Sequence, residues 1–394
     1  MKALKKMNVA KLEEGVRGVM SRTVEAGQML GGICQVNQDG KMVSRISVGT
    51  ARLGKEETVR ENDIFRLASM TKNICSVTTL QMLDRGKLAL DTEISRFFPG
   101  FQEKWIAKLD EKGSIVPDRK SKVPITVRHL VTHTNGIMAS DPLGSVMMEQ
   151  TGGFIKDSFK VLEEGIDFYE KEAMLSFEPG SMWAYSGMAG CDLLCRMVEM
   201  LTDMPYDEYV KKYVTDPLEM PDTVFEPTPE QWSRFVTVLN KDENGEFVED
   251  PESTGRTIFA APLSYHSGGV SMVSTVTDYM KLSEALRCGG LGWNGYRLLS
   301  EEKAGMMGKP LTPRGMNGMF FPRMQFGVLV NIRSGSPSLP DGCYGWGGAY
   351  GTLTWIDPVN RVNVVYMRNS RLHANILDSS TGDWVFEKAV KDAL

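Results

Sequence analysis

Apolar side chains near the start of the chain recur at helical spacing. Val9, Leu12, Val16, Val19 and Met20 fall on one face, which predicts an amphipathic helix over residues 9–27. Two runs of strand character follow at 32–36 and 42–48, separated by the turn signal Asn37-Gln38-Asp39-Gly40. A longer apolar pattern starts at Ser69, runs through Val77, Leu80, Met82 and Leu83, and stops at Gly86, where a helix would end. Between about 85 and 250 the patterns are mostly helical and joined by Pro/Gly loops, with helices expected at 126–134, 159–172, 188–201 and 206–214. The last third returns to strands at 325–331, 351–356 and 362–367 and closes on a helix over about 383–394. Strands at both ends with helices between predict an α+β fold. The terminal strands are expected to form one antiparallel sheet flanked by the terminal helices. Residues 1–85 and 255–394 would build that part, and 86–254 a mostly helical insertion. Two subdomains also suit the length, 394 residues, because a single core stops growing at roughly 250–300.

Composition narrows the partners. A hydrophobic content of 42% with 24% charged residues is that of an ordinary globular protein. The net charge is −5 with lysines and arginines scattered, which removes the electrostatic footprint of a nucleic-acid binder. The positive N-terminus is not followed by the apolar run of a secretory signal, and no window approaches the ~18 apolar residues of a membrane span. The six cysteines form no C-x-x-C pair, and Cys191 and Cys195 have the i, i+4 spacing of core positions on a helix. Free thiols without a signal point to the cytoplasm. The 25 methionines read as adaptable core filler.

The candidate chemistry begins at Phe65-Arg66-Leu67-Ala68-Ser69-Met70-Thr71-Lys72. A serine opening a helix with lysine at i+3 puts both side chains on one face. Serine needs an adjacent base, and a lysine in a poorly solvated pocket is expected to lose its proton and serve as one. The spacing alone decides nothing, because Ser300-Glu301-Glu302-Lys303 repeats it and reads as a helix N-cap with an acidic first turn. Two further segments separate them. Pro179-Gly180-Ser181-Met182-Trp183-Ala184-Tyr185-Ser186 places Tyr185 on a loop at a helix entrance, where a phenol can relay protons. Tyr344-Gly345-Trp346-Gly347-Gly348-Ala349-Tyr350-Gly351-Thr352 begins a strand whose paired glycines let a substrate approach the backbone, with the Ala349 N–H a candidate oxyanion donor.

In this order the segments resemble the penicillin-recognising serine hydrolases: class C β-lactamases, D,D-peptidases and family VIII carboxylesterases. The likeness extends to residues 125–136, similar to the group's ITIRHLLTHTSG segment, and to 267–275 with Asp278-Tyr279, similar to GGxGLxST…DY. Asp216-Pro217-Leu218-Glu219-Met220 resembles its PLGM turn, with a glutamate in the glycine's place. The resemblance runs from about residue 30 to 370. It implies a β-lactamase/D,D-peptidase-like fold, with Ser69 as acylated nucleophile, Lys72 as its base or proton shuttle and Tyr185 as the second acid/base group. It further implies an oxyanion hole from the N–H groups of Ser69 and Ala349, and substrate binding along Trp346, Gly347, Gly348 and Gly187.

Two departures shape the expected substrate. β-Lactamases and peptidases usually carry K-T-G on the strand, whose lysine recognises a carboxylate; here Trp346 stands there. Their tyrosine motif usually ends in asparagine; here that position is Gly187. Both changes remove polar recognition of an anionic, peptide-like ligand, and the W-G-G triplet resembles the family VIII carboxylesterases. The expectation is therefore hydrolysis of a small-molecule ester through an acyl-enzyme, with no cofactor and no metal. β-Lactam, D-amino-acid peptide or amide cleavage, acyl transfer, and a penicillin-binding sensor without turnover are the alternatives. No G-x-S-x-G occurs. His129 and His133 fall at i, i+4 on one expected short helix and read as structural; His266 reads as structural too, and His373 is assigned no role. The apolar stretch 315–322 is expected either to wall an acyl site or to pack against the adjoining subdomain.

Overall fold

The structure is a computed structural model that describes residues 5–151, 161–250, 265–319, 324–334, 336, 338–372 and 383–394. The chain opens with helix α1 (Val9–Glu25), capped by the Asn8 side chain, and the hairpin β1 (Gly31–Gln38) and β2 (Lys41–Gly49). The turn between them is tight: Asp39 (φ 54°) and Gly40 (φ 78°) both take the left-handed conformation that matches strand twist. Strand β3 (Phe65–Arg66) leads through a 3-10 turn, Ala68–Thr71, into α2 (Lys72–Asp84). The helical pattern expected from Ser69 thus starts with a tighter turn, and Gly86 (φ 67°) ends it.

The middle of the chain carries β4 (Trp105–Leu109), β5 (Ile115–Lys120), α3 (Val127–Val131), α4 (Pro142–Gln150), α5 (Leu162–Lys171), α6 (Ala189–Thr202), α7 (Tyr206–Val210), α8 (Pro229–Ser233), β6 (Leu239–Lys241) and β7 (Phe247–Glu249). The hairpins β4–β5 and β6–β7 are additions to the helical reading; they are short, largely exposed and without an apolar stripe to reveal them. The start of the helix expected at 159 lies outside the described residues. Strand β8 (Val273–Ser274), α9 (Val276–Arg287), α10 (Glu301–Met306), β9 (Gln325–Phe326), β10 (Asn331–Ile332), β11 (Tyr344–Gly347), β12 (Leu353–Asp357), β13 (Val362–Arg368) and α11 (Asp383–Asp392) complete the order.

Seven strands pair antiparallel in the order β2-β1-β13-β12-β11-β10-β9, so the two ends of the chain meet at β1 and β13. Strands β1 and β13 are buried on two faces, and their side chains alternate between two cores. Cys34, Val36, Val364 and Tyr366 pack beneath α1 and α11 against Leu12, Val16, Phe386 and Val390. Ile33, Val365 and Met367 face the opposite core, shared with α2, α6 and α9. The α+β expectation with its sheet and terminal helices is the observed fold. The single strand expected at 325–331 is instead a hairpin, turning at Leu329 (φ 56°). Val328, Leu329 and Val330 are apolar because the turn itself is buried, with Leu329 N–H bonded to Val131 O at 2.8 Å.

Ser300 caps α10 by accepting from Lys303 N–H, and Glu301 and Glu302 occupy its first turn, as expected for the decoy pair. Cys191 and Cys195 are buried core residues of α6. His266 bridges two acids: Nδ1 lies 3.1 Å from Asp207 and Nε2 2.9 Å from Glu226. Burial disfavours its imidazolium, but the two carboxylates outweigh burial and raise its pKa above the ordinary value. A raised folded-state pKa stabilises fully below the unfolded pKa of about 6.5 and is lost as pH rises through the higher value. Thermal melts should therefore show the wild-type Tm falling, relative to His266→Gln, as pH rises from about 6 to 8.

Candidate active site

Three segments distant in sequence converge on Ser69. The chain before it is fastened on both sides: Leu67 N–H bonds Met272 O at 3.0 Å, and Asn369 bonds both Arg66 N–H (3.0 Å) and Arg66 O (3.2 Å). Ala68 is held at φ 46°, an unusual conformation for a residue with a β-carbon, and it packs against Val238 and Tyr350. Ser69 follows, half-buried, and the first N–H to bond within the turn is that of Met70, to Leu67 O. The Ser69 N–H thus precedes the first internal bond and points from the positive end of the helix.

Lys72, fully buried at 0% exposure, donates to Ser69 Oγ at 3.3 Å and to the carbonyl of Gly269 at 2.8 Å. Tyr185 donates to Ser69 Oγ at 2.8 Å, and the Lys72 Nζ stands 5.0 Å from the Tyr185 ring centroid. Its loop is pinned by Ala184 N–H to His133 O (3.0 Å), Tyr185 N–H to Ser140 Oγ (3.1 Å) and Trp183 N–H to Asn317 O (2.8 Å). Burial works against the Lys72 ammonium, yet the charge and hydrogen bond of the Tyr185 oxygen work for it, and the balance raises the Lys72 pKa. The buried thiols of Cys75 and Cys191 have pKa values pushed well above the ordinary one, so they are neutral and add no charge of their own. This corrects the expectation that burial alone strips the proton from Lys72. Of the two, the tyrosine oxygen is the nearer to Ser69 Oγ.

Strand β11 brings the third segment. Trp346 Nε1–H reaches the Tyr185 hydroxyl at 3.4 Å, and its ring lies 5.5 Å from that of Tyr185 and 5.2 Å from Phe326. The strand end is pressed against the turn that carries Ser69: Thr352 Oγ1 donates to Leu67 O at 3.0 Å, and a Cβ on Gly348 would sit 2.0 Å from that carbonyl. Ala349 lies exposed at the tip of this turn, between the bonds Gly348 N–H to Thr352 O and Gly351 N–H to Gly348 O. Gly347 follows Trp346 at the strand end, and Gly187 lies beside Tyr185, where a Cβ would meet its ring at 3.3 Å.

The sequence matches the Beta-lactamase family over residues 16–375. The chain belongs to that family. It is 27% identical over 392 residues to esterase EstB of Burkholderia gladioli, covering 92% of each chain. It is also similar, at 26% identity over 371 residues, to a putative D-alanyl-D-alanine carboxypeptidase of Escherichia coli strain K12, covering 89% of this chain and 80% of that one. Among solved structures it superposes on EstCE1, a hydrolase with promiscuous acyltransferase activity, with a TM-score of 0.77 at 23% identity, covering 98% of both chains. The β-lactamase-like fold read from the motifs is therefore the fold of this family member.

One expectation about the histidines changes in detail. The helix α3 ends at Val131, so His133 is not on it; it takes φ 56° beyond the end. His129 closes a capping box with Thr126, and His133 is buried edge-on to Tyr185 at 4.8 Å. Burial and the nearby Lys72 keep His133 neutral, its pKa well below the ordinary one. His373 and the 320–322 part of the apolar loop lie outside the described residues. The described part of that loop joins the tyrosine: Met316 and Met319 pack with Trp183, Tyr185, Phe326 and Trp346. Gly269, whose carbonyl meets Lys72, was visible in the sequence only as part of a family-like segment, because a backbone acceptor leaves no residue signature.

Gly348→Ala should displace Leu67 and, through it, Ser69. Labelling of Ser69 by a fluorophosphonate probe is expected to slow by about a hundredfold, the usual cost of an ångström-scale misplacement, with the circular dichroism spectrum retained.

Proposed function

We propose that this member of the Beta-lactamase family is a carboxylesterase that acts through an acyl-enzyme on Ser69. The observation that carries the reading is Trp346. It occupies the place where a carboxylate-binding lysine is usual, and its one N–H is directed to Tyr185 rather than to a ligand anion. The neighbouring surface is apolar, formed by partly buried Trp346, Met316 and Met319 packed on buried Trp183 and Phe326, and suits an uncharged acyl or alkoxy group. The names of EstB and EstCE1 support the same class of chemistry.

In the proposed reaction the reacting form is the one in which the Lys72–Tyr185 pair has given up one proton to solvent. That pair takes up the Ser69 proton, through the tyrosine oxygen 2.8 Å away, as Ser69 Oγ attacks the ester carbonyl. The N–H groups of Ser69 and Ala349 receive the oxyanion. The tyrosine then returns the proton to the departing alcohol, and the tetrahedral species collapses to the Ser69 ester. Water attacks that ester with the same groups in reverse, releasing the acid and free Ser69. Trp346, Gly347, Gly348 and Gly187 line the approach. Acyl transfer differs only in that an alcohol replaces water in the second half. We also place this work in a reducing compartment such as the cytoplasm, a reading supported by Cys75 Sγ and Cys195 Sγ lying 4.0 Å apart as free thiols.

A p-nitrophenyl ester series measured beside a chromogenic β-lactam tests the assignment. Short esters should turn over steadily, and Ser69→Ala should lower that rate by roughly 10⁴-fold or more. Preferred β-lactam turnover, or a stoichiometric burst with no turnover, would overturn the esterase reading. Tyr185→Phe should lower kcat by about 10²–10⁴-fold, the range of a general acid–base group. Met316→Ala with Met319→Ala should shift the chain-length preference of the same series; an unchanged preference in the folded variant contradicts the apolar-wall assignment.

A further inference from the structure

Behind Lys72 lies a buried acid that the reaction above does not use. Asp192, in the first turn of α6, is fully buried. Its Oδ2 accepts hydrogen bonds from Tyr169 (3.1 Å) and Tyr265 (2.7 Å), and its Oδ1 accepts one from Ser267 Oγ. Three hydroxyl donors aimed at two oxygens fit an ionised carboxylate, which only accepts. The chain of bonds continues. Ser267 Oγ accepts from Gly269 N–H at 3.0 Å, and the carbonyl of that same Gly269 accepts from Lys72 at 2.8 Å. Ser271 braces the loop by accepting from Ser267 N–H (3.2 Å) and donating to Tyr265 O (3.0 Å).

Resting on the esterase reading, we propose that Asp192 is a positioning residue for Lys72. Through Ser267 it sets the peptide of Gly269 whose carbonyl holds the Lys72 Nζ against Ser69. Its charge also balances the buried ammonium. A carboxylate buried with hydroxyl donors alone is costly to ionise, and the Lys72 cation acts on it from across the Gly269 peptide. Burial raises the Asp192 pKa to about 6, while its three donors and Lys72 hold it down. The titratable groups around it are Lys72 from α2, Tyr169 from α5, Tyr265 from the 265–271 loop, and Cys191 and Cys195 from its own helix. The thiols and phenols have pKa values raised by burial and are neutral near pH 6, which leaves Asp192 and Lys72 as the charged pair.

Two variants divide the two parts of the role. Asp192→Asn removes the charge, so the acid-side midpoint of kcat against pH should move at least about half a unit lower, because the Lys72–Tyr185 pair then gives up more readily the proton it must lose before reacting. Ser267→Ala keeps the charge and breaks the link; kcat should fall about tenfold to a hundredfold with that midpoint in place and KM within about twofold, and Ser267→Thr should restore it. Tyr169→Phe removes a bond to the same carboxylate but not the link to Gly269, and should keep kcat within about twofold. The proposal is overturned if the Asp192→Asn profile overlays the wild type, or if Ser267→Ala keeps wild-type kcat. Should Asp192→Asn fail to fold, the Ser267→Ala and Ser267→Thr pair decides. Fluorophosphonate labelling keeps the two levels apart: wild-type labelling no faster than Ser69→Ala defeats the serine-hydrolase reading itself. Equal labelling of wild type and Ser267→Ala defeats only the role of Asp192.

Discussion

An ammonium group taken out of water loses several kcal/mol of hydration even after the protein relaxes, and the loss is recovered only through close partners. Lys72 stands at 0% exposure on a helix buried from Lys72 to Met82, so the surroundings of α2 are shaped by the need to answer its polar groups. Lys72 is met by Ser69, Gly269 and the Tyr185 oxygen. The rest of the helix is answered in the same way. Asn73 bonds the Tyr279 hydroxyl, Ser76 the carbonyl of Val328, and Gln81 the carbonyls of Tyr213 and Leu298. Each partner belongs to a different stretch of chain. The lysine therefore sits on a helix whose orientation several parts of the fold enforce at once.

Much of this was legible in the chain because it depends on residue identity. The hairpin of β1 and β2, the sheet-forming ends, the N-cap at Ser300 and the convergence of Ser69, Lys72, Tyr185 and Trp346 are all carried by side-chain pattern or motif. What escaped depends on backbone and context. The acceptor at Gly269 is a carbonyl, which every residue has. The run 325–331 is apolar because a turn can be buried as deeply as a strand. Asp192 sits among Cys191, Leu193 and Leu194 at core spacing, and only the three hydroxyl donors around it show why a charge belongs there. The protonation of Lys72 was misjudged for a related reason: burial is readable from an apolar neighbourhood, whereas the opposing oxygen comes from a loop more than a hundred residues away.

Trp346 gives the site its chemical character. A lysine at that place would attract anions over distance, while an indole offers contact area and one short-range donor. Apolar walls discriminate by size at only about 1–3 kcal/mol per methylene. With Phe326, Trp183 and flexible methionines packed around it, the indole adds to an apolar cluster that offers no fixed charged handle.

The pairing of β1 with β13 has a consequence for how the molecule comes into being. Arg66, three residues before Ser69, is bonded by Asn369, 303 residues further along. Gly32 stands opposite Arg368, so β1 has no partner on that side until β13 has been made. During synthesis the early segments emerge first and wait for their partners, a topology that folds slowly and late. The turn that carries Ser69 is thus fastened only once residue 369 has joined it, so a chain that stops short of β13 leaves that turn without its clamp.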